Sequence, residues 1–198
     1  MDGRSDLIVA QLRAGMSGSQ YAARSAVSAL GRTEAKELSE AVEMVQKMIG
    51  SVPDLDLESL NRDLVRYTTA PERRKRFLWI IAYGDSKELA RPFLVERIRS
   101  AQDQIAAVRL AVRKLAVAGE DLMDAVSSND SVSAAAHIAA GDVPGHAQAL
   151  SQVEEDARSR AQVGSAAARV LRETLRARLD AVALAEGLIM KAQRELAS

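Results

Sequence analysis

An all-α fold is what the sequence predicts, and three observations predict it. Apolar residues recur at intervals of three and four over long stretches, which is the period of a helix face. Alternating β-branched runs are short, and no Asn-Gly or Asp-Gly turn joins two strand-like runs. Only 3% of the residues are aromatic, whereas Ala, Leu, Val and Arg dominate, a composition suited to helices meeting along small-residue seams. The expected architecture is a set of short N-terminal helices followed by a long antiparallel helical hairpin, a coiled-coil-like bundle. Read along the chain, residues 1–84 form the N-terminal helical region. Residues 85–198 form the hairpin, with a short helical insert near 131–141.

The first 30 residues read as short helical pieces broken at Gly15 and Gly18. Thr33 is placed to cap a helix carrying Leu38, Ala41, Val42, Val45, Met48 and Ile49 on one face, with Gly50 as its stop. Asp54 and Asp56 precede a helix in which Leu57, Leu60, Leu64 and Tyr67 repeat at helical spacing. Pro71 suits the first position of a further helix, which Gly84 closes.

Pro92 is expected to open the longest element. From Leu94 the apolar positions run through Ile98, Ala101, Ile105, Val108, Val112, Leu115, Gly119, Leu122 and Val126, alternating steps of four and three. That is a heptad seam, and Ile98, Ile105, Val108, Val112, Leu115, Gly119 and Leu122 are its candidate helix-pairing residues. Gly119 stands where a large apolar residue belongs, so it marks either a close crossing or a soft point. The polar run Ser127–Ser131 is expected to end this helix, and a short Ala-rich helix to follow it as far as Gly141. After the Asp-Val-Pro-Gly turn, a second long helix begins near His146. Its stripe is Leu150, Val153, Ala157, Ala161, Ala168, Leu171, Leu175, Leu179, Val182, Ile189 and Leu196. Two long helices with a compact connection should lie antiparallel and bury these stripes on each other. The small residues Ala101, Gly119, Ala161, Gly164 and Ala168 permit close approach of the backbones.

The chemistry on offer is sparse. Lys and Arg number 27 against 27 Asp and Glu, so the formal charge is zero, which argues against non-specific nucleic-acid binding. Cysteine is absent, which removes disulfides, thiolate metal sites and a cysteine nucleophile. No signal-peptide pattern and no run of about 20 apolar residues occurs, so a cytoplasmic location is expected. There is no Walker loop, no GxGxxG and no GxSxG, and neither an enzyme nor a cofactor is expected. The only histidines, His137 and His146, flank a turn. A metal shared with Asp142 or Glu154 is the one catalytic or metal alternative, and isolated histidines are more often surface residues.

Charge is unevenly placed. Thr33 to Leu64 holds eight acidic residues against three basic ones, and Pro71 to Arg99 holds eight basic against four acidic. The stretch PERRKRFLWIIAYGD, residues 71–85, puts Arg73, Arg74, Lys75 and Arg76 directly before Phe77 and Trp79. Three readings follow. The segment is a capped helix whose Phe77, Trp79 and Ile81 pack against the long pair; or it is a partner contact; or its basic residues meet an anionic membrane while the aromatics insert. A protein partner or self-association is expected, with an anionic membrane surface as the alternative.

Residues 95–126, VERIRSAQDQIAAVRLAVRKLAVAGEDLMDAV, resemble the TelA toxic-anion (tellurite) resistance family. Its Ser-Ala-Gln-x-x-Ile-x-x-Ile/Val signature matches Ser100, Ala101, Gln102, Ile105 and Val108. The basic, aromatic, glycine-containing stretch before the helix has its counterpart in RRKRFLWIIAYGD, and Gly119-Glu120-Asp121-Leu122 stands for the family's later Gly-x-Asp-x-Leu. The resemblance implies an all-helical bacterial stress-response protein without an obvious catalytic mechanism, and it carries over no active-site residue.

Overall fold

The computed structural model describes residues 3–16, 20–70 and 86–197. Among them are six α-helices and one 3-10 turn, with no strand. In chain order these are α1 (Gly3–Met16), α2 (Gln20–Ala29), α3 (Arg32–Ser51), α4 (Leu57–Thr69), α5 (Ser86–Asp142), the 3-10 turn Pro144–His146, and α6 (Ala147–Ala197). The chain is all-α: short N-terminal helices precede a long antiparallel pair, α5 and α6. Contacts between α-carbons group the chain into two compact units. One comprises residues 1–50 and 115–173, the other 51–114 and 174–198. This grouping by contact is distinct from a division made along the chain at residue 84.

In the first unit, Leu12, Val27, Ala139 and Leu150 form a buried cluster, with Ile8, Met16, Ala26 and Leu30 against it. The ends of α5 and α6 nearest the turn are thus covered by α1 and α2. Gly31 joins α2 to α3 with φ of +75°, a conformation that costs a residue with a Cβ but not glycine. A Cβ there would also lie 2.9 Å from Val132 Cγ1, so the turn is seated directly on α5. Because α3 starts at Arg32, Thr33 lies inside its first turn and does not cap it, while Gly31 contributes the carbonyl that accepts from Ala35 N–H at 2.9 Å.

Two further expectations are corrected here. Residues 127–131 do not break the helix, and the insert near 131–141 is the continuation of α5. The three buried polar side chains of this run bond back to the helix. Ser128 Oγ donates to Asp124 O at 2.8 Å, Asn129 Nδ2 to Ala125 O at 3.0 Å, and Ser131 Oγ to Ser127 O at 2.9 Å. Each of the three therefore has a partner without leaving helical geometry, and the helix passes through the run without a cap or a turn. Upstream, α5 begins at Ser86, so Pro92 lies inside the helix. Its missing N–H removes one bond in the second turn, and the buried seam that starts at Leu94 holds the turns that follow.

In the second unit, α4 starts on a cap at Asp56, whose carboxylate accepts from Ser59 N–H at 3.0 Å. Leu60, Leu64 and Tyr67 of α4 are buried, as are Leu94, Ile98, Ala101, Ile105, Val108 and Val112 of α5. From α6 come Val182, Ala185, Ile189 and Ala192. Leu179, expected on that stripe, is 52% exposed. Alternating steps of four and three from Leu171 reach Leu175, Arg178, Val182, Ala185, Ile189 and Ala192, so Leu179 is one residue off the seam. Arg178 occupies the inward position instead and pairs with Asp54.

Candidate interaction surfaces

All seven candidate seam residues, Ile98, Ile105, Val108, Val112, Leu115, Gly119 and Leu122, are buried within the single chain. The seam is therefore core. Gly119 is a close crossing and not a soft point, because a Cβ on it would lie 2.7 Å from Leu171 Cδ2. Gly164 is tighter still. A Cβ there would meet Val126 Cγ2 at 2.6 Å and Leu38 Cδ1 at 2.8 Å, so α3, α5 and α6 converge on that one glycine.

Beside this crossing is a buried polar junction that periodicity cannot reveal. Asn129 is fully buried; its amide donates to Glu34 O at 2.9 Å, and its carbonyl oxygen accepts from Arg160 Nε at 3.1 Å. One side chain thereby ties α5 to α3 and α6 in a single register. No buried side-chain nitrogen or oxygen among the described residues lacks a partner, so the junction is a specificity element of the fold.

The described residues do not gather catalytic groups. His137 Nδ1 lies 3.1 Å from Glu154 Oε2, and Arg158 Nη2 lies 2.7 Å from the other oxygen of the same carboxylate. Asp142 is engaged by Arg13 Nη2 at 2.5 Å. Both carboxylates considered as partners for a metal on His137 and His146 thus already hold a cation. Among the described residues no group of three His, Cys, Asp or Glu side chains is placed to bind a metal ion. Nor, among them, is any helix long and apolar enough to cross a membrane.

What the surface does offer is apolar bulk on the outer faces of long helices. Leu110, Val117 and Met123 of α5 are about half exposed, as are Val163, Val170, Leu184 and Met190 of α6. In the second unit an open groove of about 750 Å³ runs between α5 and α6. Ala106, Leu110, Ile189 and Met190 line it, and an ion pair from Arg109 Nη2 to Glu186 Oε1, 2.6 Å long, crosses it. A second groove, about 720 Å³, exposes Phe93 and Leu89 beside Arg62, Arg66 and the Asp63–Arg97 pair, whose bond is 3.0 Å. Through that pair, and Asp56 at 4.0 Å from Arg97, the acidic and basic stretches meet among the described residues. Arg73, Arg74, Lys75, Arg76, Phe77 and Trp79 lie outside the described residues.

The zero net charge is a balance between unlike halves. The first unit contains 15 acidic and 10 basic residues, a net of −5, and the second 12 acidic and 17 basic, a net of +5.

No protein-family model matches the chain, and neither a curated protein nor a solved structure matches it. The class that fold and surfaces define is an all-α helical bundle whose long helices carry exposed apolar residues.

Proposed function

We propose that this is a non-catalytic helical interaction protein, one that binds itself or another helical protein through the outer faces of α5 and α6. The observation that carries the reading is the set of large apolar side chains left outside the core on those faces, Leu110, Val117, Leu184 and Met190 among them. An amphipathic partner helix laid along α5 would bury Leu110 and Val117, which share a face two turns apart. Site-specific photo-crosslinking tests the reading. A photoreactive residue at Leu184 should give discrete protein adducts, and the same residue at exposed Arg172, beside Glu173, should give none. Equal labelling, or none at Leu184 and Val117 alike, would remove the proposal.

A second reading is favoured by the +5 balance of residues 51–114 and 174–198, to which Arg73–Arg76 contribute. In it, the basic-aromatic segment attaches the protein reversibly to an anionic membrane, each basic residue near the surface adding about 1 kcal/mol. Reversing Arg73 and Arg74 should then abolish sedimentation with phosphatidylserine vesicles without loss of helix content. A role in toxic-anion stress rests on the TelA-like residues Ser100, Ala101, Gln102, Ile105 and Val108, and loss of tellurite tolerance on deletion is its test.

A further inference from the structure

We propose that α5 pairs with α5 of a second copy, antiparallel about a two-fold axis beside Val117. The proposal rests on the interaction reading above and names the partner.

Residues three, four and seven positions away on either side share a helix face with Val117. At the three- and four-residue positions of this face the charges invert about it. Three residues before Val117 is Lys114, and three after is Glu120. Four before is Arg113, and four after is Asp121. Seven before is Leu110, and seven after is Asp124. Every one of these residues is exposed, and α5 is continuous through all of them. Among the described residues none of the five charged side chains joins an ion pair within the chain, although Arg109 on the adjoining turn is engaged by Glu186.

A two-fold axis that reverses the helix direction brings the residue n positions before the axis opposite the one n positions after it in the partner. Arg113 and Lys114 therefore face Glu120 and Asp121 of the second copy, and the symmetry repeats the set on the other side. Val117 meets its own counterpart at the axis. A parallel pairing in register would instead set like charges against each other, so the pattern selects the antiparallel arrangement. An isologous contact of this kind closes on itself and gives a dimer, with no tendency to fibres. The span from Leu110 to Asp124 is about 21 Å of helix, which is short for a stable interface. Ion pairs at its rim are screened by salt. The association should accordingly be weak and salt-dependent.

The test uses the full chain and sedimentation equilibrium at low salt. Wild-type protein should dimerise, and raising the salt to about 1 M should weaken the dimer roughly tenfold or more, since the Debye length then falls to about 3 Å. Arg113→Glu/Lys114→Glu makes the face wholly acidic, and Glu120→Lys/Asp121→Lys makes it basic everywhere except at Asp124. Each variant alone should stay monomeric with unchanged circular dichroism, and an equimolar mixture of the two should recover a dimer. The single-swap pair Lys114→Glu and Glu120→Lys gives the same readout with less perturbation should a double variant not fold. A wild-type monomer at every concentration at low salt overturns the proposal. So does a wild-type dimer whose two variants fail to associate when mixed. Adducts at Leu184 to a different protein, from a chain that is monomeric here, would uphold the interaction reading and sink self-pairing alone.

Discussion

At Gly164, adding a single methyl group sets helix propensity against packing. A Cβ there improves the helix by about 1 kcal/mol but lies 2.6 Å from Val126 Cγ2 and 2.8 Å from Leu38 Cδ1. Overpacking of this kind costs roughly 1–3 kcal/mol, so Gly164→Ala should lower stability by up to about 2 kcal/mol in urea denaturation. Gly187, in the same helix, has nothing within 4 Å of its would-be Cβ. Gly187→Ala should therefore raise stability by about 0.5–1 kcal/mol, and the opposite signs separate packing from propensity. Asp56 contributes through its charge. Hydrogen bonding to Ser59, then Arg97 and Arg62 nearby, holds its carboxyl below the ordinary Asp value. A carboxylate depressed in the folded chain stabilises it above the unfolded pKa, and that contribution disappears as pH falls through the folded pKa. In Asp56→Asn, which keeps a capping oxygen, the acid limb of the stability curve should lose part of its slope, as read by thermal melts below the ordinary Asp pKa. A wild-type slope would show that the charge contributes nothing.

At the scale of the element, α5 is held by its seam. Leu115 is fully buried at the middle of that stripe. Leu115→Asp would place a carboxylate there with no cation provided for it, at a cost of about 3–5 kcal/mol, a large share of the ~5–15 kcal/mol that holds a typical domain. The expected outcome is loss of the cooperative melt, whereas Val117→Asp, two residues on and exposed, should leave the melt in place. The α5 seam was legible in the sequence because alternating steps of four and three are a local property of the chain. On α6 the same rule misplaced one residue. Leu179 is apolar but lies one position off the seam, and Arg178, which falls on the seam's phase, pairs with Asp54. The Ser127–Ser131 run misled for a similar reason. Polar residues end helices when their side chains compete for backbone groups from outside the helix, and here they bond back to carbonyls one turn earlier.

For the whole molecule, the distribution of charge matters more than its sum. A net of zero beside a sequence pI of about 6.8 suggests a protein that neither type of ion exchanger should hold near neutrality. The division into −5 and +5 implies otherwise, since each resin is met by the unit of opposite sign. At low salt and pH 7 the protein should be retained by both anion and cation exchangers and released from each by moderate salt. Flow-through on both would show that the two balances are not presented as separate surfaces. The acidic and basic stretches were visible in the sequence. Their assignment was not, because the acidic stretch from Thr33 to Leu64 divides at residues 50/51, and Asp56 and Asp63 of its second part pair with Arg97.

By itself the sequence determined the helical class, the long antiparallel pair and the α5 seam, because period and spacing are carried by neighbours along one chain. Tertiary structure alone decided that Asn129 is buried where Glu34 and Arg160 meet it, and that Gly31 and Gly164 admit no side chain. Each of these depends on an atom supplied by a different helix, and separation along the chain holds no record of that proximity.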